Sequence, residues 1–157
     1  MIASLITKLD NFERLVRTSF GRDISSGSGR FWAYIHFHLM DHAFLRILWS
    51  NFHKLCDDAY RASQPSPSDL RSYKNKGIKA VLNLRGFTPH SYALFEEESC
   101  KKLGLELISV PLSGSFAPQP EKLLEIIGIM EKIPKPFVLH CKSGADRAGL
   151  VSAMYLI

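Results

Sequence analysis

The stretch FVLHCKSGADRAGLV, residues 137–151, places a short apolar run, a loop with two glycines and the start of a second apolar run in direct succession. The first run has the length of a buried strand, and the second predicts a helix. At the first turn of a helix the backbone N–H groups lack partners, and the helix dipole makes that end positive. The stretch therefore predicts a strand, an anion-binding loop and a helix.

The chain before this stretch alternates between strand and helix patterns. Strands are predicted over 79–85, 105–111 and 137–140, and helices over 68–76, 91–103, 120–133 and 149–157. Such alternation predicts an α/β fold with a mainly parallel sheet flanked by helices. Ligands bind beyond the carboxyl ends of the strands in such sheets, and residues 140–149 lie at that position.

The N-terminal third of the chain has a different pattern. Residues 1–50 are predicted to form a helical extension with an amphipathic helix at about 2–18, a Gly/Ser-rich joint at 21–30 and an apolar helix at 31–50. The main domain is predicted over 51–157. Its first residues, 51–67, are rich in turn-forming residues and carry no clear periodicity.

Length and composition fit one globular domain with an extension. The 157 residues are 46% hydrophobic and 22% charged, and the net charge is +5. Lysines and arginines do not cluster with aromatic residues, so nucleic acid is not the expected partner. A small, dispersed excess of positive charge fits a small anionic substrate equally well.

The cysteines and histidines predict neither disulfides nor a metal site. Cys56, Cys100 and Cys141 are an odd number without metal-type spacing, which indicates a reducing, cytoplasmic setting. The first residues do not have the pattern of a signal peptide. His38 and His42 stand four residues apart, but no third ligand accompanies them, so structural roles are expected for both.

The segment 31–49, FWAYIHFHLMDHAFLRILW, is long enough to span a membrane. However, Asp41 and Arg46 would each cost about 2.5–3.5 kcal/mol at the centre of a spanning helix. We therefore expect a helix packed on the domain, and contact with a membrane interface is the less favoured alternative.

The loop at 140–149 has the groups that phosphate chemistry requires. Gly144 permits a positive φ and Gly149 permits close backbone approach, so the loop N–H groups can converge on one anion. Arg147 can hold two phosphate oxygens at once. The same positive field favours the thiolate of Cys141, a nucleophile that could attack phosphorus without a metal or any other cofactor.

The spacing His140-Cys141-x5-Arg147 resembles the signature loop of the cysteine-dependent protein tyrosine and dual-specificity phosphatases. Three other segments resemble the bacterial and fungal-plant branch of that family: AYRASQPSPSDL at 59–70, GIKAVLNLRG at 77–86 and LISVPL at 107–112. Rhodanese-like sulfurtransferases also place a cysteine in an anion loop, but with a shorter spacing to the arginine.

The resemblance implies the cysteine-phosphatase fold and a role for each loop residue. Cys141 would be the nucleophile, His140 would tune its thiolate, and Arg147 would bind the phosphate. Backbone N–H groups would come from the residues between them, namely Lys142, Ser143, Gly144, Ala145 and Asp146.

The sequence departs from the family pattern at two points. Ala148 stands where the family usually has Ser or Thr, which predicts slow hydrolysis of the phosphoenzyme. The segment VPLSGSFAPQPEKL, residues 110–123, lacks the Asp that commonly serves as general acid. Asp146 is the better candidate for that acid, because myotubularin-type lipid phosphatases also carry Asp before the loop arginine, whereas Glu121 suits the first turn of a helix.

Further residues are weaker candidates for substrate contact. Arg61, Gln64 and Arg85 lie near predicted strand ends, and Ser113 and Lys142 could line the mouth of the pocket.

Three functions remain open from the sequence. A phosphatase for phosphotyrosine, with or without phosphoserine and phosphothreonine, is the first. A phosphatase for inositol phosphates or phosphoinositides is the second, and a non-catalytic phosphate-binding module is the third. The family continues with more helices after the apolar stretch GLVSAMYLI at 149–157, so we expect a domain truncated at its C-terminus.

Overall fold

The computed structural model describes residues 7, 11, 15 and 18–157. Its sheet has the strand order β1-β2-β5-β3-β4, with β1 antiparallel to β2 and the other neighbours parallel. The predicted fold class, a mainly parallel sheet flanked by helices, is confirmed. The strands are β1 (His53–Lys54), β2 (Ala59–Ala62), β3 (Ala80–Asn83), β4 (Glu106–Ser109) and β5 (Phe137–His140).

Six α-helices are assigned within the described residues, and a π-helical turn (His36–Met40) follows the first of them. The helices are α1 (Gly27–Ile35), α2 (Ala43–Arg46), α3 (Pro67–Asn75), α4 (Ser91–Leu103), α5 (Pro120–Lys132) and α6 (Asp146–Tyr155). Ser66 caps α3 in a reciprocal capping box with Asp69, and Gly104 ends α4 in a left-handed conformation with φ of 61°.

The sheet separates two hydrophobic clusters, because successive side chains of a strand point to opposite faces. On β3, Leu82 contributes to the cluster that α5 and α6 cover, whereas Val81 contributes to the cluster that α3 and α4 cover. Leu139 and Val138 of β5 divide in the same way. The result is a three-layer arrangement with the sheet in the middle.

The carboxyl ends of the three inner strands are level with one another. His140 at the end of β5 pairs with Ala62 of β2 on one side and with Asn83 of β3 on the other. The loop after His140 therefore begins at the centre of the edge where parallel α/β sheets bind ligands.

The sequence predicts one continuous helix over 31–50, and this prediction is wrong. Helix α1 begins at Gly27, inside the predicted joint, with Ser26 as its cap. The chain leaves the helical path at Asp41 and His42, and the φ of His42 is 60°. The break lets the Asp41 carboxylate meet Arg85 of the main domain. The helix expected at 2–18 lies almost entirely outside the described residues.

Residues 18–50, called the N-terminal segment below, pack on α4, as expected for an extension that covers the domain. Phe37 contacts the ring of Phe95 with 6.0 Å between the centroids, and Arg30 forms an ion pair with Glu98. No helix among the described residues is long and apolar enough to cross a membrane. The division of the chain at residue 50 stays a prediction.

Strands β1 and β2 were absent from the sequence prediction. Strand β2 has four residues, and only Ala59 and Ala62 of them are buried, so its apolar signal is weak. It is nevertheless an inner strand, held between β1 and β5. Its pairing with β5 is a contact between distant parts of the chain that local periodicity does not encode.

Candidate active site

The loop from Cys141 to Ala145 connects β5 to α6 and turns beneath the end of β2. Gly144 is buried with φ of 75°, and a Cβ there would lie 2.7 Å from backbone atoms of Ala62 and Ser63. Only glycine both adopts this positive φ readily and lets the backbone of Ala62 and Ser63 lie this close. The backbone N–H of Gln64 donates to the Lys142 carbonyl at 3.1 Å, which ties the loop to the chain after β2.

Cys141 lies at the base of the loop with its side chain almost fully buried. Its Sγ accepts a hydrogen bond from the backbone N–H of Gly144 at 3.3 Å. The loop therefore directs a backbone donor at the sulfur.

Arg147, in the first turn of α6, has its guanidinium group fixed by backbone carbonyls. Nη1 donates to the carbonyl oxygens of Leu112 at 3.2 Å and Leu84 at 3.5 Å. These carbonyls follow β4 and β3, so two strand ends orient the side chain over the loop. Within the described residues, no other hydrogen bond or ion pair engages this guanidinium, so its other N–H groups are available to an anion.

His140 belongs to a buried polar group of three side chains. Its Nε2 lies 2.6 Å from Oε1 of Glu96, and both side chains are fully buried. The two atoms are close, but their geometry is not that of an aligned hydrogen bond. Asn83 donates through Nδ2 to the other carboxylate oxygen of Glu96 at 2.8 Å.

A second buried network joins the N-terminal segment to the site, and sequence analysis missed its central residue. The Asp41 carboxylate accepts from Arg85 at 2.8 and 3.2 Å and from Arg46 at 2.7 Å. Arg85 also donates to Gln64 Oε1 at 2.8 Å, and the Lys142 Nζ lies 3.9 Å from Asp41. Arg85 and Gln64, both predicted near strand ends, therefore support the loop from one side.

Burial alone would raise the pKa of Asp41. The charge and hydrogen bonds of Arg85, followed by the charges of Arg46 and Lys142, outweigh burial and hold this pKa below its ordinary value. Asp41 is therefore a carboxylate at neutral pH. Nothing in the sequence of the segment 31–49 indicates that its single acidic residue faces the loop at 141–145.

A family model described as "Polymorphic toxin system, DSP-PTPase phosphatase" matches residues 57–157. The chain belongs to this DSP-PTPase family. The resemblance recognised in the sequence is thereby confirmed at the level of the family. No curated protein sequence matches the chain.

Solved structures of phosphatases have the same fold. TpbA of P. aeruginosa in complex with phosphotyrosine is 18% identical, with a TM-score of 0.58 over 68% of this chain and 62% of TpbA. Tk-PTP in its active form is 26% identical, with a TM-score of 0.55 over 69% and 73% of the two chains. The catalytic core of SIW14 of S. cerevisiae, a PP-IP phosphatase solved with citrate, is 25% identical, with a TM-score of 0.56 over 65% of this chain and 62% of that core.

Ala148, the first departure from the family pattern, is fully buried in α6. Asp146, the candidate for the acid that residues 110–123 lack, is the exposed first residue of α6. Within the described residues, Asp146 forms no ion pair with a neighbouring basic residue. Its carboxyl group is therefore not held in a structural contact.

The remaining candidates are Ser113, Arg61 and Glu121. Ser113 accepts from the backbone N–H groups of Ser115 and Phe116 and so shapes the loop that carries Leu112. Arg61 extends from β2 to within van der Waals reach of a Cβ placed at Gly149. Glu121 lies in the first turn of α5, as its sequence position predicted. The described residues hold no group of three or more His, Cys, Asp or Glu that could bind a metal ion.

Proposed function

We propose that the protein hydrolyses phosphate monoesters through a cysteinyl-phosphate intermediate on Cys141. The observation that carries this proposal is the loop itself, in which the sulfur of Cys141 accepts from the Gly144 N–H and Arg147 is fixed at the same loop. Membership of the DSP-PTPase family supports it.

In the first step, the loop N–H groups and Arg147 bind the phosphate oxygens, and the Cys141 thiolate attacks phosphorus. The P–S bond forms as the P–O bond to the leaving group breaks, and the leaving oxygen takes a proton from a general acid. In the second step, water attacks the phosphocysteine, releases inorganic phosphate and restores the thiolate. Arg147 and the loop N–H groups stabilise the negative charge in both transition states.

Asp146 is the general acid of this proposal. Three carboxyl groups lie at the loop or at its two ends: Asp41 beside Lys142, Glu96 beside His140, which precedes the loop, and Asp146, which follows it. Asp41 is ion-paired with its pKa lowered, and Glu96 is buried against His140, so neither can readily deliver a proton to a leaving group. Asp146 is exposed and free of ion pairs within the described residues.

We infer that phosphotyrosine in proteins, with or without phosphoserine and phosphothreonine, is the substrate. The dual-specificity description of the family and the likeness to Tk-PTP support this choice. An inositol phosphate or phosphoinositide is the second candidate. The likeness to SIW14 and the excess of cations around Asp41 favour it, because a highly anionic substrate needs such a surface.

The test is turnover of an aryl phosphate in the presence of a chelator. We expect turnover by the parent chain, loss of it in Cys141→Ser, and parent-like rates in Cys56→Ser, whose cysteine lies outside the loop. If the parent hydrolyses the aryl phosphate and Cys141→Ser binds phosphate without hydrolysis, the protein is not a non-catalytic binding module. Equal rates in the parent and in Cys141→Ser would refute the proposal.

A further inference from the structure

Asn51 lies between the N-terminal segment and β1, and its side chain reaches the loop at 141–145. Its Nδ2 donates to the carbonyl oxygen of Ser143 at 3.1 Å, across 92 positions of the chain. No step of the proposed reaction involves Asn51 directly. The contact nevertheless meets the middle of the loop, two residues after Cys141.

The backbone of Asn51 is fixed in an unusual conformation beside the end of β2. Its φ is 49°, and within the described residues His42 is the only other non-glycine residue with a positive φ. Asparagine tolerates this left-handed region better than most residues. The carbonyl oxygen of Ser50 accepts from the backbone N–H of Ser63 at 2.8 Å, which holds the chain before Asn51 against the chain after β2.

A second hydrogen bond sets the orientation of the Asn51 amide. Its Oδ1 lies 3.0 Å from Nε2 of His53. An amide oxygen only accepts hydrogen bonds, so the ring N–H of His53 donates to it. With the oxygen engaged by His53, the amide NH2 group is the one that faces Ser143. The side chain of Asn51 is therefore held from both ends.

The Ser143 carbonyl belongs to the same peptide unit as the N–H of Gly144, which donates to the sulfur of Cys141 at 3.3 Å. In a planar trans peptide the C=O and the N–H point in opposite directions. A donor that holds the Ser143 carbonyl on the outside of the loop therefore holds the Gly144 N–H on the inside. Asn51 is such a donor.

The preceding peptide unit is held in the same sense. The Lys142 carbonyl accepts from the backbone N–H of Gln64 at 3.1 Å, which directs the N–H of Ser143 away from Gln64. Successive N–H groups that face one side form a concavity for an anion. One of the two outer donors is a backbone group and the other is a side chain, so a substitution at Asn51 removes one of them.

We propose that Asn51 is a positioning residue for the loop at 141–145, acting through the Ser143–Gly144 peptide. Without the Asn51 amide, this peptide can rotate and turn the Ser143 carbonyl oxygen toward the bound phosphate, where its partial negative charge opposes the anion. The proposal rests on the proposed function, because that function places a phosphate in the loop.

Three variants separate the side-chain donor from the backbone conformation. Asn51→Gly removes the amide and leaves a residue that adopts a positive φ freely. Asn51→Asp keeps the shape of the side chain, but its carboxylate only accepts hydrogen bonds. His42→Gly is the matched control, because it is the same replacement at the other positive φ, and the His42 ring bonds the carbonyl of Leu39 in its own segment.

The direct measurement is the amide resonance of Gly144 in a proton–nitrogen correlation spectrum of the folded protein, which needs no turnover. We expect this resonance to shift in Asn51→Gly and in Asn51→Asp and to keep its parent position in His42→Gly. A structural role of Asn51 away from the loop would not move it.

Titration of inorganic phosphate in the same spectra measures anion binding. The affinity should be about five- to tenfold weaker in Asn51→Gly, because one hydrogen bond to the loop is lost, and parent-like in His42→Gly. For an aryl phosphate, kcat/KM should fall by a similar factor in Asn51→Gly. Asn51→Asp should lose at least as much, since its carboxylate also repels the Ser143 carbonyl oxygen.

The outcomes distinguish this proposal from the proposed function. A parent that hydrolyses no aryl phosphate would contradict the proposed function alone, and a shifted Gly144 resonance with weaker phosphate binding in Asn51→Gly would still support the positioning role. If Asn51→Gly keeps the parent's Gly144 resonance, phosphate affinity and turnover, the positioning role is overturned and the proposed function stands. Equal changes in Asn51→Gly and His42→Gly would also overturn it.

Discussion

Asp146 begins α6, directly after the loop at 141–145, and is exposed. If it protonates the leaving oxygen, Asp146→Asn should slow poor leaving groups such as alkyl phosphates about a hundredfold and affect good ones such as nitrophenyl phosphate little. The measurement is a plot of log kcat/KM against leaving-group pKa for both proteins. The slope should steepen in the variant, and parallel plots would remove Asp146 from the acid role.

Glu96 faces His140 in the interior at 2.6 Å, so its loss leaves a histidine and the Asn83 amide without their buried partner. Glu96→Ala should lower the free energy of unfolding by about 3 kcal/mol, the lower end of the range for breaking a buried pair. Urea denaturation measures it. Glu97→Ala is the matched control, because the adjacent Glu97 is exposed and should change stability by less than about 0.5 kcal/mol. Similar decreases in the free energy of unfolding in Glu96→Ala and Glu97→Ala would contradict a stabilising role for the buried Glu96.

The sequence predicted the loop residues but not their partners. Cys141, Arg147 and the intervening residues form one short segment, so their spacing carries the information. In the sequence, Glu96 is one of three consecutive glutamates in EEES, residues 96–99, and nothing distinguishes it from the other two. Asp41 is a single polar residue in an apolar run. Only the fold separates the buried Glu96 from the exposed Glu97, because burial depends on which helix face meets the sheet.

At the scale of elements, the loop depends on β2. A Cβ on Gly144 would meet the backbone of Ala62 and Ser63 at 2.7 Å, and its φ of 75° alone costs other residues about 1–2 kcal/mol. We expect Gly144→Ala to lose stability by more than this and to lose most aryl phosphate turnover. Thermal denaturation and initial rates measure both effects.

Gly128 provides the control for that variant. It lies within α5, where an added Cβ meets nothing within 4 Å. Gly128→Ala should therefore stabilise the protein by about 0.5–1 kcal/mol and leave turnover unchanged. A Gly144→Ala protein as stable and active as Gly128→Ala would contradict the described packing of loop and strand.

The elements that sequence analysis missed are those with the weakest local signal. Strand β5 was predicted at its observed bounds because an apolar run precedes a glycine-containing loop. Strand β2 was missed because AYRA has an arginine among few apolar residues and is defined by pairing with β5. The break after Met40 was missed because it accompanies a long-range contact, the ion pair of Asp41 with Arg85, which lies 44 residues farther along the chain.

At the scale of the whole molecule, Asp41 fastens the N-terminal segment to the domain. Its pKa is held below the ordinary 3.8, so its ion pairs contribute stability that is fully present above that pH and is lost as the pH falls through the lowered value. Asp41→Asn should be less stable than the parent by about 3 kcal/mol at pH 7.

The pH dependence distinguishes this charge effect from a loss of packing. The difference between the parent and Asp41→Asn should shrink below about pH 3.8, where the parent carboxylate begins to take up its proton. Urea denaturation of both proteins across this range is the measurement. A difference that is the same at pH 7 and in acid would show that the ion pairs are not its cause.

The central claim, that Cys141 carries the phosphoryl group, is tested most directly by mass spectrometry of the acid-quenched protein during turnover of an aryl phosphate. Ala148 in place of a hydroxyl residue should slow the second step, so we expect one added phosphoryl group, mapped to Cys141. Cys100 is the internal control, because burial and then the charge of Glu96 raise its thiol pKa to about 12. Turnover without any phosphoryl group on Cys141, or persisting in Cys141→Ser, would contradict the account.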